Sequence, residues 1–306
     1  MTESRAAATT TPATGADAAL EAAAGLLAHR PMLLGLAYRL LGSLHDADDV
    51  LQDAYLRWLR TDRTVVAEPR RYLSRIVARL ALDRLRAHQA AKETYVGPWL
   101  PEPVPTASTV LGPLETAEQR DSLSLAMLHL LERLSPPERA VFVLRTAFEW
   151  PYAEIADLLG RSTEDCRQLH RRARARLQHD RPRFTASRSE QKRLLHGFLA
   201  AARDGDLPAL TRMMTADAAA WSDGGGRVRA ARNPIFGGDK VARFFAGIYS
   251  RYSVLLRADP VEVNVQPALV IRYGPARHVL AIAAHDGAIT GLFLIANPDK
   301  LAHMRP

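Results

Sequence analysis

The chain has 306 residues and a net charge of +8, with 47% hydrophobic and 24% charged residues. This composition is typical of folded globular protein and, at this length, of about two domains. The single cysteine, Cys166, excludes an intrachain disulfide and a zinc site built from cysteines. No stretch approaches about 18 consecutive apolar residues, so a membrane span is not expected.

Residues 1–24 are rich in Ala and Thr and lack a basic segment followed by a long apolar run. We therefore expect a disordered tail rather than a signal peptide, and the cytoplasm as the compartment. The positive net charge favours a polyanionic partner. Only four of the 41 Lys and Arg residues are lysines. Arg prefers bidentate contacts with phosphate and guanine, although a GC-rich genome would enrich Arg in the same way.

The segment from His29 to Gln89 has apolar residues at helical spacing. One apolar stripe is interrupted near Gly42, and the next runs from Ala47 to Trp58. A loop over 61–68 precedes Pro69, a residue that suits the first turn of a helix. We predict a long helix after this proline.

Aspartates crowd the second of these helical stripes. Asp46, Asp49 and Asp53 are three and four residues apart and therefore share one face of the helix. The helix dipole stabilises acidic residues near the N-terminus, but Asp53 lies beyond the first turn, and like charges this close repel. Two interpretations stay open: compensation of the dipole, or a docking surface for a basic groove on a protein.

The predicted helix after Pro69 carries the opposite charge. Arg71, Arg75, Arg79 and Arg86 fall within an arc of roughly 80°, at 100° per residue. Tyr72 lies beside this basic stripe. Such a combination suits a nucleic-acid backbone and an unstacked base, and the alternative is an ordinary solvated surface.

A helix-turn-helix pattern occurs further along the chain. A short apolar helix around Tyr152–Leu159 ends at Gly160, and Ser162 can cap the helix that follows. In that second helix the apolar positions, which we expect to face inward, are Cys166, Leu169, Ala173 and Leu177. The outward positions are Glu164, Arg167, Gln168 and Arg171, with Arg172, Arg174 and Arg176 placed for phosphates. A plain helical hairpin is the alternative.

Two further regions complete the chain. Residues 93–114 contain prolines that exclude regular helix and central strand, namely Pro98, Pro101, Pro103, Pro105 and Pro113. We predict an extended linker there. From about residue 190, helical stripes are followed by strand-like runs at Val261–Val265, Leu269–Tyr273, Val279–Ala284 and Ile289–Ala296. Helices followed by a meander of strands predict a small α+β domain.

These motifs resemble a known family. Residues 29–60 together with the stretch EPRRYLSRIVARLALDRLRAH resemble region 2 of bacterial sigma factors of the extracytoplasmic-function (ECF) class. The stretch from LERLSPPERAVF to RARARL resembles region 4 of the same class. The motifs YVGPWLPEP, DGGG, NPIFGG and NPDKL resemble the subgroup with a fused C-terminal SnoaL-like domain.

The resemblance implies a multidomain fold. It has two all-α sigma domains, a region 2 helical bundle and a region 4 helix-turn-helix, followed by an α+β cone of the SnoaL-like or NTF2-like kind. The boundaries that we predict are 25–92 for region 2, 93–114 for the linker, 115–182 for region 4 and 190–306 for the SnoaL-like domain.

The resemblance also implies a function: binding core RNA polymerase and directing promoter-specific initiation, with no cofactor, no metal and no enzymatic step. Docking on the β′ clamp helices would use Asp46, Asp49, Gln52 and Asp53. The −10 element would be held by Arg71, Tyr72, Arg75, Arg79 and Arg86, although the loop TDRTVVAEP offers no clear pocket residue for a flipped base. The −35 element would be read by Ser162, Thr163, Glu164, Arg167, Gln168, Arg171 and Arg172. The linker would pass the polymerase active centre, and no anti-sigma partner is identified.

The SnoaL-like domain is expected to modulate promoter binding in cis. Its regulatory contacts would come from Asp223, Gly224, Gly225, Gly226, Asn297, Pro298 and Asp299. Catalytic candidates are Asp223, Tyr273, His285 and Asp286, but none has a second group at a suitable spacing, and Asp286 with Gly287 suits a hairpin turn. Two alternatives stay open: a stand-alone helix-turn-helix regulator, and an isomerase or cyclase with DNA-binding attachments.

Overall fold

The computed structural model describes residues 25, 27–92, 94–108, 110–111, 117–180, 186–252 and 256–304. The predicted N-terminal tail, and parts of the linker and of the basic stretch after region 4, lie outside the described residues. The described chain forms two helical units and one mixed unit.

The first helical unit contains three helices: α1 (Arg30–Leu41), α2 (Leu44–Leu59) and α3 (Pro69–Lys92). Gly42 ends α1 in the left-handed region, with φ of 72°, and Ser43 caps α2 by accepting from the Asp46 amide at 3.1 Å. The break at Gly42 and the helix start at Pro69 are as predicted. The three helices enclose a leucine-rich core that includes Tyr38 and Trp58.

The second helical unit contains the helix-turn-helix. Its helices are α4 (Ala117–Asp121), α5 (Leu125–Leu131), α6 (Pro136–Ala147), α7 (Tyr152–Leu159) and α8 (Thr163–Asp180). Gly160 closes α7 with φ of 63°, and the Ser162 hydroxyl accepts from the Asp165 amide at 3.0 Å at the start of α8. The core of this unit is continuous with that of the first.

The third unit is an α+β domain. Helices α9 (Arg188–Asp204), α10 (Leu207–Arg212) and α11 (Gly238–Tyr252) cover strands β1 (Met214–Asp223), β2 (Ile235–Phe236), β3 (Arg257–Val263), β4 (Gln266–Tyr273), β5 (Ala276–His285) and β6 (Ala288–Ile295). The strand order is β2-β1-β6-β5-β4-β3, and β1 is parallel to β6 while the other pairs are antiparallel. The four predicted strands and the hairpin turn at Asp286–Gly287 are confirmed.

Strand β1 corrects the sequence-based assignment, which placed no strand between the helices. Its sequence, MTADAAAWSD, is rich in Ala and poor in the β-branched residues that mark strands. Pairing with β6 over residues 219–223 overrides this weak propensity. The parallel pairing places the C-terminal ends of β1 and β6 side by side, where Asp223 and Ile295 are partners.

The central strands β5 and β6 are buried on both faces of the sheet. Along β5, Leu280, Ile282 and Ala284 pack with the helices of the same domain, whereas alternate residues such as Ala281 and Ala283 pack with Leu100 and with α5. This arrangement explains the nearly continuous apolar sequences of β5 and β6. The sigma-like units therefore cover the outer face of the C-terminal sheet.

The described part of the linker has no regular structure apart from a short 3-10 turn at Thr106–Ser108, as its prolines predict. It is nevertheless buried, since Leu100 and Val104 are almost fully covered. Val104 exchanges hydrogen bonds with Asn264, whose backbone amide donates to the Val104 carbonyl and whose Oδ1 accepts from the Val104 amide, both at 2.8 Å. Glu102 accepts from the Leu44 amide at the start of α2. The linker thus joins all three units.

Candidate nucleic-acid and docking surfaces

The acidic face of α2 is partly neutralised within its own domain. Arg84 of α3 donates to Asp46 at 3.0 Å and to Asp49 at 2.7 Å. Partial burial opposes the charge of this guanidinium, but the two carboxylates raise the pKa of Arg84 overall. The shared face predicted from the spacing is therefore not uniformly negative, because Arg84, 38 residues from Asp46, compensates Asp46 and Asp49.

Gln52 and Asp53 form the exposed remainder of this face. Asp53 has no ion-pair partner within 4.0 Å among the described residues. Leu56, one turn further along, is an exposed large apolar side chain. The surface that α2 offers to a partner is thus a mixed one, with a charge at Asp53 and an apolar residue beside it.

The basic stripe of α3 is exposed, but it has intramolecular partners. Arg71 Nε donates to Glu154 at 2.9 Å, a second guanidinium nitrogen contacts the same carboxylate, and Arg75 forms an ion pair with Asp157. Both acids belong to α7, the first helix of the helix-turn-helix. The bidentate contact with Glu154 raises the pKa of Arg71.

The rest of the stripe behaves as the spacing predicts. Arg79 is exposed, and Arg86 lies 3.2 Å from Asp83 of its own helix. Tyr72 is partly exposed and its ring packs against Trp58, with centroids 5.8 Å apart. The Tyr72 hydroxyl lies 3.3 Å from that of Thr61 in the loop before α3. An aromatic ring supported from behind offers a surface for a base.

Helix α8 presents the outward residues that its periodicity predicts. Cys166, Leu169, Ala173 and Leu177 are buried, which confirms the inward set. Exposed on the other side are Ser162, Glu164, Arg167, Gln168, Arg171 and Arg172, with Thr163 half-buried. Burial raises the pKa of the Cys166 thiol, as expected for a structural side chain. Arg176 donates to Glu138 at 3.0 Å and is therefore engaged within the domain.

The predicted regulatory residues contact the linker. Asp223 is fully buried and accepts from the Tyr95 hydroxyl at 2.6 Å and from the Leu100 amide at 2.8 Å. Lys300 completes this buried group, since its ammonium lies 2.7 Å from the same carboxylate. Burial lowers the pKa of Lys300 while Asp223 opposes that effect. Burial and the Asp223 carboxylate both raise the pKa of Tyr95.

The neighbouring predicted residues complete this contact. Asn297 donates to the Tyr95 hydroxyl at 3.1 Å, and its own Oδ1 accepts from the amide of Asp299. Asp299 forms an exposed ion pair with Arg227 at 3.0 Å. A Cβ atom at Gly225, where φ is 56°, would lie 2.2 Å from the Asn297 side chain, so this close approach requires glycine.

The predicted catalytic candidates are not brought together in one site. His285 and Asp286 lie at the β5–β6 turn, 3.2 Å apart, and Asp223 is committed to the linker. Tyr273 instead lines a cavity of about 680 Å³ in the cone, where its ring stacks on His278. Sequence reasoning missed His278, which shares the inward face of β5 with Leu280. The alternation of β5 was the signal that could have found it.

Two absences among the described residues complete the description of the surfaces. No helix among them is both long and apolar enough to cross a membrane. They contain no group of three or more His, Cys, Asp or Glu side chains arranged to hold a metal ion.

Comparison with known proteins identifies the family of both helical units. Residues 26–91 match the sigma-70 region 2 family, and residues 124–177 match the sigma-70 region 4 family. Over 282 residues the chain is 36% identical to the ECF RNA polymerase sigma factor SigJ of Mycobacterium tuberculosis, covering 89% of this chain and 90% of SigJ. The probable ECF sigma factor SigI of the same species is 30% identical over 282 residues, covering 91% and 94%.

The solved structures agree in fold. The crystal structure of M. tuberculosis SigJ superposes with a TM-score of 0.74 at 35% identity, covering 90% of this chain and 96% of the other. Its match extends beyond the two sigma regions into the C-terminal domain, which is SnoaL-like. The chain therefore belongs to the ECF sigma factors, which are not enzymes but initiation factors that direct core RNA polymerase to promoters.

Proposed function

We propose that α2 docks this sigma factor on the β′ clamp helices of core RNA polymerase. The exposed pair Gln52 and Asp53 makes the first contact, with Leu56 as an apolar anchor beside them. Asp46 and Asp49 contribute only if Arg84 releases them or is itself part of the contact. The charge at Asp53 steers association with a basic groove.

The second part of the proposal concerns the −10 element. Arg71, Arg75, Arg79 and Arg86 contact the phosphates of the melted strand, and Tyr72 stacks on an exposed base. Arg71 and Arg75 must first leave Glu154 and Asp157, because one guanidinium cannot serve the carboxylate and a phosphate in the same bidentate geometry.

The third part concerns the −35 element. The outward residues at the start of α8, from Ser162 to Gln168, together with Arg171, read base edges in the major groove, and Arg172 binds phosphate. The observation that carries this assignment is the separation of burial along α8: Cys166 and Leu169 are covered, while Arg167, Gln168 and Arg171 face solvent.

The SnoaL-like domain modulates initiation in cis by holding the linker. Asp223, Asn297 and Lys300 bind linker residues between Tyr95 and Leu100. Region 4 packs against region 2, and Glu154 and Asp157 of α7 cover part of the proposed −10 surface. The domain thereby favours an arrangement in which Arg71 and Arg75 are occupied.

Run-off transcription with purified core polymerase tests the proposal. The full chain should produce promoter-specific transcripts from a randomised promoter pool, and the selected promoters should share two separated elements. Arg171→Ala should alter the base preference at one position of the upstream element only. Transcripts with a single shared element would contradict the division of labour between α3 and α8.

A further inference from the structure

The cone of the SnoaL-like domain encloses a cavity of about 680 Å³ between the sheet and helices α9 and α11. This volume lies within the range of small-molecule sites. Its inner wall is apolar, with Leu269, Leu280 and Leu294 from the strands and Phe198 and Phe245 from the helices. A cavity with these walls accepts a flat apolar molecule.

Polar side chains also line this cavity, among them Arg229, Arg251 and His278. His278 is 94% buried because its exposed fraction is 6%, and its Nε2 has no hydrogen-bond partner among the described residues. Burial lowers the pKa of His278 to about 4, so the ring is neutral near pH 7. A buried polar atom without a partner costs free energy that a ligand atom can recover.

Two aromatic rings stack in series on His278. The Tyr273 ring stacks on His278 with centroids 4.8 Å apart, and Tyr252 stacks on Tyr273 at 4.4 Å. All three residues line the cavity. A planar ligand can continue such a stack, since aromatic rings favour offset stacking at these distances.

From these observations we propose that the cone is a binding site for a flat, largely apolar aromatic small molecule. The single oxygen of this molecule forms a hydrogen bond with His278 Nε2. The ligand lies among the leucines of the sheet and against the stack formed by Tyr252, Tyr273 and His278. No chemical change of the ligand is part of the proposal.

The walls of the cavity continue directly into the linker contact. Ser222 lines the cavity, and the next residue, Asp223, binds Tyr95 and Leu100 of the linker. Ala296 likewise lines the cavity, and the next residue, Asn297, binds Tyr95. Ligand binding therefore stiffens two strand ends whose following side chains hold the linker.

Binding is tested with 2-naphthol, a flat aromatic with one hydroxyl, and with naphthalene, which lacks it. Calorimetry and naphthol fluorescence should give one site per chain and tighter binding of 2-naphthol. His278→Leu should weaken 2-naphthol about tenfold and leave naphthalene unchanged. His129→Leu is the matched control, because half-buried His129 also has a buried, unpartnered ring nitrogen but packs at a tilt against Trp221 at the other face of the sheet.

A second variant separates a filled cavity from a misfolded domain. Ala202 on α9 lines the cavity, and Ala202→Phe should abolish binding of both probes while circular dichroism and promoter-specific transcription persist. Absence of binding to the folded wild-type protein would overturn the proposal. So would equal affinity of 2-naphthol for wild type and His278→Leu, the result expected if the histidine only holds water.

The link to the linker has its own readout. Binding of 2-naphthol should slow amide hydrogen exchange in residues 94–100 at least twofold in wild type and not in Ala202→Phe. Unchanged exchange at these residues with the site occupied would overturn the coupling. Neither result bears on sigma activity itself, which is measured by transcription without the probe.

Discussion

Helices α3 and α8 both carry arginines suited to DNA, but these arginines differ in whether they are paired with acids of the protein itself. On α8 the outward residues Gln168, Arg171 and Arg172 face solvent, whereas Arg71 and Arg75 of α3 are paired with acids of α7. One surface is therefore available for duplex DNA and the other is engaged within the protein. The periodicity of charged residues in a sequence therefore predicts the charge of a helix surface but not the residues that pair with it.

The largest effect is expected at the buried group that holds the linker. Asp223→Asn removes the charge that balances Lys300, and breaking one side of a buried ion pair costs about 3–5 kcal/mol. The first unfolding transition in urea should shift accordingly, with faster amide exchange over residues 94–100. Asp299→Asn, at an exposed pair with Arg227, is the control and should change stability by less than about 1 kcal/mol. Equal shifts of the urea transition for both variants would mean that the contact between Asp223 and the linker does not stabilise the protein as proposed.

A comparison of an exposed with a paired aspartate tests which part of the acidic face of α2 binds polymerase. Asp53→Lys should weaken core polymerase binding at least about tenfold while preserving the fold, because it reverses an exposed charge. Asp49→Asn removes a carboxylate that Arg84 already compensates, so its effect should be smaller. Competition binding with purified core polymerase measures both. A larger loss for Asp49→Asn would reassign the contact to the Arg84 cluster.

The available surface is probed by Arg171→Ala. A bidentate contact with guanine would make the loss about 1–3 kcal/mol at its base pair and much less elsewhere. Arg172→Ala, one residue further, should weaken all duplexes alike because we assign it to phosphate. Binding to a set of single-base duplex variants distinguishes the two. An equal loss of affinity for all duplexes on Arg171→Ala would mean that Arg171 contacts a phosphate and not a base.

The smallest effect is expected for variants that remove the acidic partners of Arg71 and Arg75 on α3. Glu154→Gln with Asp157→Asn frees Arg71 and Arg75, and exposed ion pairs of this kind change affinities by roughly twofold to fivefold. Single-stranded −10 oligonucleotides should bind tighter to the double variant by that factor. The control is Glu164→Gln, since Glu164 pairs only within α8. If the double variant binds these oligonucleotides no more tightly than this control, then α7 does not restrict the binding of DNA to α3.

Local signals predicted most of the helices and four strands. The helix-turn-helix follows from Gly160, a glycine at a left-handed position, and from the buried spacing of Cys166 and Leu169. Strand β1 was missed because its alanines carry little strand preference and its pairing with β6 joins distant segments. Propensity describes neighbours in sequence, whereas pairing in a sheet depends on the whole domain.

Long-range partners could not be predicted for the same reason. Arg84 lies 38 residues from Asp46, and Glu154 lies 83 residues from Arg71. The prolines of the linker indicated an extended segment, but nothing local indicated that Leu100 would be buried against the sheet. The regulatory motifs were found by resemblance, and only the fold supplies their partners, Tyr95 and Lys300.

A distance measurement between α3 and α7 tests the central claim most directly. Cys166 is buried, and replacing it by Ala leaves spin labels only at cysteines introduced at exposed positions, such as Arg79 and Ala153. Pulsed electron double resonance should give one short, narrow distance in the isolated protein and a longer one after core polymerase binds. A broad, long distance in the isolated protein, unchanged by polymerase, would contradict the engaged state of α3.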